Sequence, residues 1–132
     1  MTFGMDTSFL LRLLTGQPKD LAEKALLRYQ DAVGQGDSFS VSDTVVTEAY
    51  YAFQHHYGKS KNEAIEALKG ISEDDSIAFS EGFDSVISLP NLATANPGFL
   101  DRILAADYRS RGQITISCEK SFRRLPDAEV VA

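Results

Sequence analysis

A chain of 132 residues, 43% of them hydrophobic, is long enough to bury one core without a metal or disulfide staple, and its single cysteine, Cys118, excludes an internal disulfide. A formal net charge of −6 argues against an unspecific polybasic nucleic-acid binder. No run reaches membrane-spanning length, and an apolar N-terminus interrupted by Asp6 and Arg12 makes a poor signal peptide, so the expectation is a soluble, cytoplasmic protein with a single domain over residues 1–132.

Residues 2–5 are short and apolar, and helical spacing then begins at Thr7, with Asp6 placed as an oxygen cap. Pro18 opens a second helix, carried by Leu21, Ala25, Tyr29, Ala32 and Val33 until Gly34 and Gly36 break the pattern. A strand over 38–41 leads into a long helix whose apolar stripe is Val46, Ala49, Tyr50, Phe53 and Tyr57, ended by Gly58. Ser60 and Glu63 form a capping box for a shorter helix through Leu68, closed by Gly70. After a polar turn with Glu73, Asp74 and Asp75, a third strand is expected over 76–79, then a helical stripe of Phe83, Val86 and Ile87. Asn96 and Pro97 begin another helix, with Leu100, Ile103, Leu104 and Tyr108 inward and Gly112 beyond its end. Strands over 113–117 and 128–131 complete the chain. Short strands alternating with helices predict an α/β domain around a mainly parallel sheet.

In such a fold ligands gather at the carboxyl ends of the strands. Asp6 ends the first strand, Glu119 ends the fourth, Asp101 lies early in the helix before the fourth, and Glu48 lies one turn into the long helix, beside its apolar stripe. Each has a bland reading as a cap, a dipole-compensating acid or a solvated side chain. Gathered together, four carboxylates would repel unless a divalent cation neutralised them, and all-oxygen ligands point to Mg²⁺ or Mn²⁺. Such ions suit phosphodiester hydrolysis: they orient the phosphate and lower the pKa of the attacking water.

These residues carry a resemblance. Asp6-Thr7-Ser8-Phe9-Leu10-Leu11, then Glu48-Ala49-Tyr50-Tyr51, then Phe99-Leu100-Asp101-Arg102, then Ser117-Cys118-Glu119-Lys120-Ser121-Phe122 resemble, in order, the acidic motifs of PIN domains, and in particular the VapC-type toxins of bacterial toxin–antitoxin pairs. The resemblance implies a PIN-like three-layer α/β/α sandwich with a mainly parallel five-stranded sheet. It implies a Mg²⁺- or Mn²⁺-dependent ribonuclease in which Asp6, Glu48, Asp101 and Glu119 match the metal-binding, catalytic acids and Ser8 and Ser117 the supporting positions. It further implies an RNA substrate, a cognate antitoxin protein and a homodimer. The fourth motif usually runs Thr-x-Asp-x-Asp-Phe; here Glu119 replaces the first Asp and Ser121 the second. That departure favours an alternative reading, a degenerate PIN fold kept as a binding module without nuclease activity.

From Arg102 to Arg124, six basic residues face only Asp107 and Glu119, a basic stretch that could guide a polyanion or form a solvated face. Arg12 is open to RNA contact or to pairing with an acid. His55, two turns beyond Glu48, reads either as a rim contact to phosphate or as an exposed helix residue. Cys118 has no His placed to activate it and is expected to pack.

Overall fold

The computed structural model describes residues 1–131 and divides into two compact units, Met1–Phe79 and a second from Ser80 onward. The α/β class is as expected. Among the described residues every strand pairing is parallel, with ladders of three strands in the first unit and two in the second, compatible with a three-layer α/β/α fold.

In the first unit, β1 (Thr2–Gly4), α1 (Thr7–Thr15), α2 (Lys19–Gly34), β2 (Ser38–Ser40), α3 (Asp43–His55), α4 (Lys61–Ser72) and β3 (Ile77–Ala78) follow in chain order, with sheet order β1-β2-β3. The strands are short, yet the ladder runs on: Met5 N–H donates to the Ser40 carbonyl and Val41 N–H to that of Ala78, both at 2.9 Å. Phe39 is the buried centre of the middle strand, its ring 5.5 Å from Phe3, 6.1 Å from Phe9 of α1 and 5.0 Å from Tyr29 of α2. Aromatic rings at these separations pack beyond what their area alone contributes.

Local signals set the helix ends. Asp6, Ser42 and Ser60 cap α1, α3 and α4 with side-chain oxygens, the Ser60–Glu63 capping box is complete, and Gly16 ends α1 in the left-handed region, at φ 66°. Two expectations shift. The inner face of α2 is Ala22, Ala25 and Ala32 with Tyr29 half-buried, while Leu21 is exposed; residues 22, 25, 29 and 32 fit the 3.6 repeat, and three alanines admit close packing. Helix α4 continues past Gly70 to Ser72, because nothing in its αR geometry requires the glycine to stop it.

The polar turn before β3 is more than solvated. The Tyr29 hydroxyl donates to the Asp74 carboxylate, which also accepts from Ser76 N–H at 2.9 Å, tying α2 to the start of β3. Burial, then the Asp74 hydrogen bond and charge, push the Tyr29 phenol up to about 12, and the same hydroxyl, followed by Ser76, holds Asp74 below the usual carboxylate range. Because Asp74 binds its proton more weakly folded than unfolded, its contribution is present above its unfolded pKa, near 4, and is lost as pH falls through the lowered value. Tyr29→Phe is therefore expected to cost about 1 kcal/mol at pH 7, an amount reduced for the exposure of Asp74, and less at pH 3. Urea unfolding at the two pH values measures both; a deficit unchanged at pH 3 would refute the assignment.

In the second unit, α5 (Glu81–Val86), α6 (Phe99–Ser110), β4 (Thr115–Ser117), a 3-10 turn (Lys120–Arg124) and β5 (Ala128–Val130) follow, β4 and β5 pairing from Thr115 opposite Ala128 to Ser117 opposite Val130. Helix α6 begins at Phe99 with Gly98 as its cap, two residues after the Asn96-Pro97 start expected, and the Pro97 carbonyl is taken by Arg102 Nε at 2.8 Å. Its buried residues are Phe99, Ile103 and Ala105; Leu104 and Tyr108, expected inward, are exposed. The cause is Gly82. A Cβ there would lie 2.8 Å from the Ile103 carbonyl oxygen and 2.9 Å from the Asp107 nitrogen, so α5 rides directly on the α6 backbone and fixes which face turns in.

At strand β4, Ile114 and Ile116 are exposed, while Thr115 is buried with no hydrogen-bond partner for its hydroxyl among the described residues. A buried hydroxyl left unpaired costs about 1–3 kcal/mol, so the nearly isosteric Thr115→Val is expected to raise stability by about 1 kcal/mol, read from the urea midpoint. An unchanged or lowered midpoint would mean the hydroxyl is satisfied.

Candidate functional site

The acids are placed by the same local rules that build the elements. Asp6 follows β1 as the N-cap of α1: its Oδ1 accepts from Phe9 N–H at 2.9 Å and from the Ser8 hydroxyl at 2.8 Å. Those two bonds, Phe9 first, lower its pKa from the ordinary value, so the exposed carboxylate stays charged in mild acid. Glu48 stands exposed on α3, one residue before buried Ala49, off the stripe of Val45, Val46, Tyr50 and Phe53. Residue Thr7, next to Asp6, and Glu48 line one groove of about 370 Å³ with Thr47, Tyr51 and His55. Asp6 itself borders a second cavity of about 380 Å³ floored by Phe3, Phe9 and Phe39, where the Arg28 guanidinium lies 5.2 Å from the Phe3 ring centre.

In the second unit, Asp101 lies half-buried in the first turn of α6, where a carboxylate suits the helix dipole. Glu119 is exposed two residues beyond β4, and its N–H donates to the Ser117 hydroxyl at 3.0 Å, which shapes the turn. Ser8 and Ser117 thus each brace an acid two residues away, one through the carboxylate and one through the backbone. Within either unit, among the described residues, no three His, Cys, Asp or Glu side chains are grouped to hold a metal; the four acids fall two to each unit.

Arg12 is committed to backbone. Its Nε donates to the Ser8 carbonyl at 3.3 Å and its guanidinium to the Gln17 carbonyl at 2.6 Å. The basic stretch is partly spent in the same way: Arg111 pairs with Asp107, Arg102 bonds Pro97 and Arg124 donates to the Asn96 carbonyl at 2.8 Å. Cys118, expected to pack, is an exposed thiol, because β4 ends at Ser117 and leaves it in the turn. The stacking of Tyr51 on His55 was not foreseen; the signal was available, since 48, 51 and 55 share a helical face.

Fold and side chains together define an α/β protein that carries acids just past the carboxyl ends of parallel strands and within the first two turns of helices. No helix among the described residues is long and apolar enough to cross a membrane. Neither a protein-family model nor a curated protein matches the chain. Among solved structures it is similar to a chain of the crystal structure of VapBC2 from Rickettsia felis bound to a DNA fragment from their promoter, at 13% identity and a TM-score of 0.41, over 99% of this chain and 98% of that one.

Proposed function

We propose that the chain is a PIN-type, divalent-metal-dependent endoribonuclease, the toxin of a toxin–antitoxin pair, working in the cytoplasm as a single domain and a homodimer held in check by an antitoxin protein. The observation that carries this reading is Asp6: a strand-end carboxylate kept charged and fixed by Phe9 and Ser8, at the head of the motif series that resembles PIN domains. The donor set fits Mg²⁺ or Mn²⁺, since Asp6, Glu48, Asp101 and Glu119 offer hard oxygens without His or Cys. When bound, such an ion would supply Lewis acidity for activating a water and offsetting charge on the leaving group. The four acids would hold it; Ser8 keeps Asp6 in its rotamer, and Ser117 keeps the turn that presents Glu119.

Cleavage of total RNA with Mg²⁺ or Mn²⁺, comparing wild type, Asp6→Asn and Asp101→Asn, tests the reading; equal cutting by all three refutes it. Glu119 and Ser121 in the fourth motif favour the second reading, a PIN-like binding module. Calorimetric titration of Mn²⁺ separates the two: binding lost in Asp6→Asn supports the metal site, and no binding by wild type supports the module.

A further inference from the structure

Helix α3 carries an aromatic surface that its packing does not use. Val45, Val46, Ala49, Tyr50 and Phe53 already form its buried side, whereas Tyr51 is 50% exposed and His55 is exposed as well. The two rings lie 6.0 Å apart at 22° to one another, a stacked pair one helical turn apart. They sit along the same face as Glu48 and open into the 370 Å³ groove, which Thr7 at the start of α1 also lines. A groove of that size admits one planar heterocycle rather than a folded partner.

The geometry points to Tyr51 and His55 as the platform on which one unpaired base of a single-stranded RNA stacks, beside Glu48; this rests on the ribonuclease reading and names the part of the substrate the site grips. Stacking is the recognition mode an acidic chain can use, because every base offers a π-face and the interaction needs no positive field. Glu48 lies three residues before Tyr51, about 4.5 Å along the helix axis, so a base on the platform brings its own backbone toward the acid. Of the two threonines lining the groove, Thr7 can donate to or accept from a base edge, whereas the Thr47 hydroxyl already donates to the Asp43 carbonyl at 2.9 Å and can only accept. The platform is therefore tolerant of base identity and selective for strands that are not paired.

Anisotropy of a fluorescein-labelled single-stranded 12-mer RNA of mixed sequence, titrated with the full chain in EDTA, reads binding apart from cleavage. Tyr51→Ala and Tyr51→Leu are expected to weaken binding about tenfold, the second because it keeps apolar bulk and loses only the π-face, while Tyr51→Phe stays within about twofold of wild type. His55→Ala is expected to weaken it about threefold. Binding by Tyr51→Leu equal to wild type, a duplex of the same sequence bound as tightly as the single strand, or no binding by wild type would each overturn the platform. Wild type that binds in EDTA through Tyr51 but cuts nothing with Mg²⁺ or Mn²⁺ would overturn the nuclease reading and leave the platform standing. Cutting by wild type with Tyr51→Leu binding unchanged would do the reverse.

Discussion

Asp6→Asn is expected to lower RNA cleavage by at least about 10³-fold, the several kcal/mol that a metal ligand supports in the transition state, with little loss of stability. The structure makes this substitution clean. Both hydrogen bonds to Asp6 fall on Oδ1, and an asparagine presents the same oxygen to Phe9 N–H and the Ser8 hydroxyl. Asn also ranks with Asp as a helix cap, so only the favourable charge at the helix start is given up, about 0.5 kcal/mol. Asp6→Ala would remove the cap as well, about 1 kcal/mol, and confuse fold with chemistry. Initial rates on labelled RNA, with urea unfolding of the same samples, decide the matter. An Asp6→Asn protein that cuts within about tenfold of wild type would remove Asp6 from the metal site.

Gly82→Ala is expected to destabilise the second unit by about 2 kcal/mol, an overpacking cost of about 3 offset by about 1 from the better helix propensity of alanine. The added carbon would meet the Ile103 oxygen at 2.8 Å, the Asp107 nitrogen at 2.9 Å and the Asp107 Cβ at 3.0 Å. Two of these are backbone atoms of α6, which cannot rotate aside as a side chain could, so α5 and α6 must part. Gly70→Ala is the matched control: it also lies in a helix, has nothing within 4 Å of the added carbon, and is expected to stabilise by about 0.5–1 kcal/mol. Urea midpoints of the two variants should therefore move in opposite directions, and a Gly82→Ala protein as stable as wild type would mean the helices are not in contact through that glycine.

Gly82 also shows where reading the chain residue by residue stops. The Ser60–Glu63 box, the Asp6 cap and the αL glycine at 58 were legible because each is settled within about four residues. The inward face of α6 was not, since it depends on a missing side chain some twenty residues earlier. Strand β4 illustrates a related limit: the alternation of Ile114, Thr115 and Ile116 has the period of a strand, but which phase faces in is decided by packing. For the candidate site, the stations of Asp6 and Glu119 at strand exits, Asp101 in a first helical turn and Glu48 one turn into a helix were readable from local pattern. A common ion is instead a property of distant parts of the chain, and it was the motif order that suggested one.

The two bonds on Asp6 Oδ1 have an entropic consequence. A free aspartate must surrender side-chain rotation when it captures an ion, and that loss is charged against affinity. Here Phe9 and Ser8 have already stilled the carboxylate as the price of starting α1, so its ordering belongs to folding. Any ligand taken up by the remaining oxygen meets a group that is preorganised and has little freedom left to lose.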